Sequence, residues 1–204
     1  LECVTMDMAG GYIKAVEERL PEAQIVFDRF HVQRLASNAL DEVRREQLRE
    51  IRGTEEGREL FRSRFALLKN PWNLTRRETE KLRDVQRTNA SLYRAYLLKE
   101  TLAQALDYKQ TWRAKRALRE WLAWASRSKL APFVKVARTI REHFDRILAY
   151  IQERLTNGIV EGFNNKLRMI ARRAYGFHSP PPLITMLYLC CGGITLDPPL
   201  PRPT

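Results

Sequence analysis

The stretch Leu1–Phe30, LECVTMDMAGGYIKAVEERLPEAQIVFDRF, decides the fold. Its first residues, Leu1 to Met8, alternate loosely between apolar and polar and include β-formers, so they read as a strand ending near Asp7. Ala9-Gly10-Gly11 reads as the turn. Tyr12 to Leu20 reads as a short helix with Ile13, Val16 and Leu20 on one face, stopped by Pro21. The apolar run Gln24 to Phe30 then has the length of a buried strand. Strand, helix, strand is a βαβ unit, so the two strands are expected to be parallel and adjacent.

Outward from this unit the character changes. From Val32 to about Arg154 no strand signal appears. Val32, Leu35, Ala36, Ala39, Leu40 and Val43 fall on one helical face. Leu60, Phe61, Leu67 and Leu68 mark a second helix, closed by Asn70-Pro71. Thr75 and Glu78 have the T-x-x-E spacing of a capping box. Further helices are expected over Ser91–Leu106, Thr111–Ser126 and Pro132–Arg154, about six in all on periodicity. Thr156-Asn157-Gly158 reads as a break, followed by an amphipathic helix from Ile159 to Ala174 that Gly176 ends. Its apolar face is Val160, Phe163, Leu167, Ile170 and Ala174. Pro180 to Pro182 reads as a chain break before a last apolar segment, Leu183 to Cys191, and a loose Pro-rich tail follows from Asp197.

Composition narrows the partners. Of 204 residues, 44% are hydrophobic, which fits a folded chain, and the net charge is +12. A surplus of that size favours a polyanion, nucleic acid first, over a basic protein with no such partner. Cys3, Cys190 and Cys191 are odd in number and irregular in spacing, so no disulfide framework or C-x-x-C metal clip is expected. Their apolar surroundings predict buried, reduced thiols and a cytoplasmic location. No signal peptide is visible, and the longest apolar run, Pro182 to Leu196, is too short to cross a bilayer. The chain opens without Met, directly into a strand-like run, which leads one to expect a preceding piece.

Four residues could carry chemistry. Asp7 falls at the C-terminal end of a parallel strand, the edge where open α/β sheets bind ligands. It reads equally as a metal ligand or as a cap for the next helix. Asp28 and His31, in Asp28-Arg29-Phe30-His31, read as a structural pair at an active-site edge or as an ordinary strand-end turn with a packed histidine. Glu161 is the sole acidic residue from Thr156 to Ser179, a stretch with four Lys or Arg. A first-turn glutamate needs no function, since the helix dipole favours it. Asn164, Asn165, Arg168 and Arg172 nevertheless share its polar face, and such residues suit DNA phosphates and bases.

Taken in order, Val4-Thr5-Met6-Asp7-Met8, the run from Leu20 through Asp28 and His31 to Val32, and the run from Leu155 through Glu161 to Phe177 closely resemble the ISL-three group of insertion-sequence transposases. Tyr96 to Glu100 agrees as well. The resemblance covers nearly the whole chain and weakens after Phe177, where Ser179 to Pro182 departs from the pattern. It implies an α/β, mostly α, fold: a partial RNase H-like core with a large all-α insertion. The expected divisions are 1–31 for the partial core, 32–155 for the insertion, 156–196 for C-terminal helices completing the core, and 197–204 for the tail. It also implies a DDE triad in which Asp7 matches the second aspartate and Glu161 the glutamate, both catalytic and both ligands of Mg²⁺ or Mn²⁺. Asp28 and His31 match a supporting D-x-x-H signature. Asn164, Asn165, Lys166, Arg168, Arg172 and Arg173 are the expected DNA contacts. The implied partners are the DNA of transposon ends and target, with a homo-oligomer as a further candidate and no membrane. The first aspartate and the DNA-recognition modules are expected upstream of Leu1, so the chain alone is expected not to cut DNA. The competing expectation is a non-catalytic, nucleic-acid-binding transposase remnant.

Overall fold

The computed structural model describes residues 2–153, 158–173 and 177–193, with side chains described for 162–172 of the second segment. Contacts divide the chain into two units, Leu1–Thr156 and Asn157–Thr204.

The first unit opens with β1 (Cys3–Met6), α1 (Gly10–Arg19) and β2 (Gln24–Phe27). The strands are adjacent and parallel, in register from Cys3 against Gln24 to Met6 against Phe27. Both strands are shorter than their apolar runs suggest. β2 stops at Phe27 because the Asp28 carboxylate accepts a hydrogen bond from the Phe30 N–H at 2.8 Å and caps the helix that follows. Gly10 and Gly11, expected in a turn, instead form the start of α1.

Eight α-helices fill 29–153, where periodicity predicts about six. They are α2 (Arg29–Glu50), α3 (Glu55–Arg62), α4 (Arg64–Leu68), α5 (Arg76–Thr88), α6 (Ala90–Asp107), α7 (Thr111–Ser126), α8 (Ala131–Glu142) and α9 (Phe144–Glu153). The two extra helices come from breaks with no proline or glycine to announce them. At Ser63 the hydroxyl donates to the Leu60 carbonyl at 2.7 Å, and the expected second helix divides into α3 and α4. At His143 the backbone leaves helical geometry (φ −107°, ψ 22°), and the expected helix from Pro132 divides into α8 and α9. The Thr75–Glu78 capping box forms at the start of α5 as its spacing predicts.

One core serves sheet and helices. Met6, Ile25, Val26 and Phe27 from the strands join Leu40, Leu98, Leu102, Leu118, Phe133, Ile140 and Ile147 in a single buried cluster. α2 packs on α6 and α8, α6 on α7, and α9 lies along β2. Each fully buried Leu, Ile or Phe contributes about 1.5–3 kcal/mol through burial. The short α4 is held by a buried cation: Lys99 Nζ donates to the carbonyls of Leu67 at 2.9 Å and Lys69 at 3.1 Å, satisfying the end of that helix.

In the second unit, α10 (Gly158–Arg173) contacts α11 (Pro180–Cys191). The prolines do not break the chain ahead of the last segment; they form the first turn of α11, where a missing N–H costs nothing. Phe163 is 48% exposed, against the apolar-face expectation, while Leu167 and Ile170 are half-buried. Ala174, Gly176, the Thr156-Asn157 break and the 197–204 tail lie outside the described residues. The cysteines are free, as expected, but not buried: Cys190 is exposed, and Cys3 and Cys191 are intermediate. No described helix is long and apolar enough to cross a membrane.

Candidate functional site

Because Met6 pairs with Phe27 in a parallel ladder, the next residues, Asp7 and Asp28, leave the sheet at the same edge. The Asp28 N–H extends the ladder by donating to the Met6 carbonyl at 3.1 Å. The two carboxylates then diverge in role. Asp7 is half-exposed, and its Oδ1 accepts one hydrogen bond, from the Ala9 N–H at 3.0 Å. That bond is a local turn ahead of α1, whose N-cap is Ala9, so Asp7 is not the helix cap. Asp28 is 3% exposed and holds the start of α2. His31 sits in the first turn of α2, half-buried, rather than at a strand end.

Behind this edge, the junction of α8 and α9 grips the end of β2. The Phe27 ring, fully buried, meets His143 edge to face with centroids 5.0 Å apart. The Arg146 guanidinium lies over the same ring at 5.8 Å and pairs with Glu17 of α1 at 2.5 Å. This clamp ties the helical segment to both halves of the βαβ unit. Nothing in the one-dimensional spacing marks His143 or Arg146; only the break at His143 turns them towards the strand.

A metal ion needs several hard oxygen ligands. Among the described residues no group of three or more His, Cys, Asp or Glu side chains is gathered for one. Asp7 fits as a single contributor: a partly exposed carboxylate at the C-terminal edge of the sheet, with one local hydrogen bond. Asp28, buried and committed to its cap, does not offer the same access.

Glu161 lies in the first turn of α10, and its side chain, like that of Arg173, lies outside the described residues. Further along α10, Asn164, Asn165, Lys166, Arg168 and Arg172 are all exposed. Gly162, Asn165, Lys166, Arg168, Met169 and Arg172 line one groove, and Arg168 Nη1 reaches Asn165 Oδ1 at 3.5 Å. The groove carries three positive charges and an amide, a surface suited to phosphates.

No solved structure matches the chain. A family model does: the transposase family of the ISL3 DDE type, over residues 1–187. Among curated proteins, the transposase for insertion sequence element IS1557 of Mycobacterium tuberculosis, in strains CDC 1551 / Oshkosh and H37Rv, is 36% identical over 93% of this chain and 48% of its own length. The transposase for insertion sequence element IS1001 of Bordetella parapertussis is 31% identical over 87% of this chain and 44% of its own. The chain thus spans about half the length of the curated relatives it matches. With a parallel βαβ start and an all-helical body, matched over residues 1–187, the chain belongs to the ISL3 transposase family.

Proposed function

We propose that this chain is the C-terminal part of a DDE transposase that cuts and joins DNA strands during insertion-sequence transposition, and that its βαβ unit and α10 belong to an RNase H-like core. The observation that carries the reading is the position of Asp7: a partly exposed carboxylate at the C-terminal edge of a parallel sheet, beside the buried helix cap Asp28. In such sheets that edge is where ligands bind.

In this reading Asp7 and Glu161, with an aspartate from a preceding strand, hold Mg²⁺ or Mn²⁺. Two such ions, when bound, activate the attacking oxygen and stabilise the leaving oxygen of a phosphodiester. Asp7 contributes a charged oxygen ligand and keeps its own orientation through the Ala9 N–H. Asp28 and His31 act as positioning residues: the Asp28 cap fixes where α2 leaves the sheet edge. Asn164, Asn165, Lys166, Arg168, Arg172 and Arg173 bind the DNA backbone and orient the strand. Of these, the exposed amide and cationic groups of Asn165, Lys166, Arg168 and Arg172 share one groove.

The test uses a full-length transposase with this chain as its C-terminal part, supplied with a duplex carrying the element's terminal repeats. Asp7→Asn and Glu161→Gln each remove a ligand charge while preserving shape, so both are expected to abolish Mg²⁺-dependent cleavage and retain DNA binding. Cleavage at the parental rate by either variant rejects the assignment.

A further inference from the structure

The segment 41–64 contains seven arginines and seven Asp or Glu residues, so its composition is neutral. The structure gathers five of those arginines along one cleft. This cleft, between the C-terminal half of α2 and α3, is lined by Arg45, Arg49, Arg52, Arg58 and Arg62, with no acidic side chain among its lining residues. Glu55, Glu56 and Glu59 face a different cleft, against α5. Arg45, Arg58 and Arg62 have carboxylate partners on their own helices, Asp41, Glu55 and Glu59. Arg49 and Arg52 are exposed and have no ion-pair partner among the described residues.

The cleft continues. Arg62 also lines a second cleft, with Phe65, Arg77 and Lys81, and Lys81 Nζ donates to the Arg62 carbonyl at 3.1 Å. The carboxylate in that second cleft, Glu78, is already engaged by Lys69 at 2.6 Å. Two large apolar rings stand exposed along this track: Phe61, 66% exposed in the first cleft, and Phe65, 63% exposed in the second. A small anion would need one pocket of converging donors. Here cations extend along two adjoining clefts and alternate with exposed rings.

The geometry points to a binding track for single-stranded DNA across α2, α3 and the α4–α5 junction, with the arginines on its phosphates and Phe61 and Phe65 stacking unpaired bases. Guanidinium groups follow a backbone, and aromatic faces accept any base whose π-face is free. Duplex DNA offers the first partner but hides the second. The track belongs wholly to the first unit and shares no lining residue with the α10 groove. It rests on the proposed strand-cutting reading only as the source of unpaired DNA, since a cut duplex can release a free strand.

Fluorescence anisotropy of the 204-residue chain with a labelled oligo(dT) and with a duplex of equal length tests this. Both rings are exposed, so Phe61→Ala/Phe65→Ala should leave the far-ultraviolet circular dichroism and melting curve unchanged. The double variant should lose roughly tenfold or more in oligo(dT) affinity, as expected for removal of base stacking, while its duplex affinity stays within about twofold. Arg49→Ala/Arg52→Ala should weaken oligo(dT) binding and flatten its salt dependence, by about 0.7 in slope for each phosphate left without its arginine. Unchanged oligo(dT) affinity in the Phe variant, or an equal loss for duplex and single strand, overturns the inference; the second result would assign the track to duplex backbone. Neither result bears on the Asp7→Asn and Glu161→Gln cleavage assay, so the two readings fail separately.

Discussion

Phe27 and His143 meet at an interplanar angle of 78°, the last residue of β2 against the single residue that separates α8 from α9. This is where the helical body takes hold of the sheet, one residue before Asp28 and level with Met6. Replacing Phe27 with Ala should remove a fully buried ring and leave His143 and Arg146 without their aromatic partner. A loss of about 3–5 kcal/mol in unfolding free energy is expected. Urea denaturation followed by circular dichroism measures it; a loss below about 1 kcal/mol would show that the clamp is not a main support of the unit.

Gly57 makes the second prediction. A Cβ placed there would lie 2.4 Å from the Ile51 carbonyl oxygen, a backbone atom that cannot swing away. The same carbonyl already accepts from the Thr54 hydroxyl at 2.8 Å, and Thr54 caps α3. Gly53, at φ +91°, completes the tight turn. Gly57→Ala should therefore force α3 away from α2, destabilising the chain by about 1–3 kcal/mol. It should also disturb the arginine cleft that Gly57 helps to line. Equal melting temperatures for parent and variant would contradict it.

How much of this is readable in one dimension depends on the kind of signal. The βαβ start is legible because strand length, Pro21 and apolar runs act locally, and the Thr75–Glu78 box because a cap is a four-residue device. The breaks at Ser63 and His143 are not, since no Pro or Gly stands there and apolar periodicity runs straight through both. Leu60 and Phe61 both mark a helix by their apolar character, but being adjacent they face different sides of it, and only Leu60 is buried. Of the candidate site, Asp7 is legible as the residue after a strand, whereas Asp28 reads as a strand residue because its capping bond is invisible without coordinates. The arginine cleft escapes notice although Arg45, Arg49 and Arg52 share the i, i+4, i+7 spacing of one helical face; neighbouring glutamates hide it in any count of charge.

Glu78 yields a pH dependence. Its carboxylate accepts from Lys69 Nζ at 2.6 Å and from the Thr75 N–H at 2.9 Å. The Lys69 hydrogen bond first, and then the Thr75 backbone, hold its pKa down at about 2, from an ordinary value of 4.5. A carboxyl lowered in the folded state stabilises it fully above the ordinary value and loses that contribution as pH falls through about 2. The difference in urea midpoint between the parent and Glu78→Gln should thus be largest above about pH 5 and shrink between about pH 4.5 and 2. A difference that stays flat over this range would show that the carboxylate charge is not what Glu78 contributes.

Asp28 separates support from metal binding. Its Oδ1 accepts the Phe30 N–H at 2.8 Å, and the residue is 3% exposed. A cap needs an oxygen in that place, not a charge, so Asp28→Asn should keep α2 anchored, whereas Asp28→Ala should cost about 0.5–2 kcal/mol of stability. A carboxylate that holds Mg²⁺ or Mn²⁺ depends on its charge far more than a cap does. If Asp28 only positions the sheet edge, a full-length transposase carrying Asp28→Asn should retain cleavage within about tenfold of the parent, an effect of about 1.4 kcal/mol on the barrier. Asp7→Asn in the same background should abolish cleavage. Folding of both variants is checked by their melting curves. Complete loss of cleavage in a well-folded Asp28→Asn protein would move Asp28 from support to the metal itself, because the capping oxygen would still be in place.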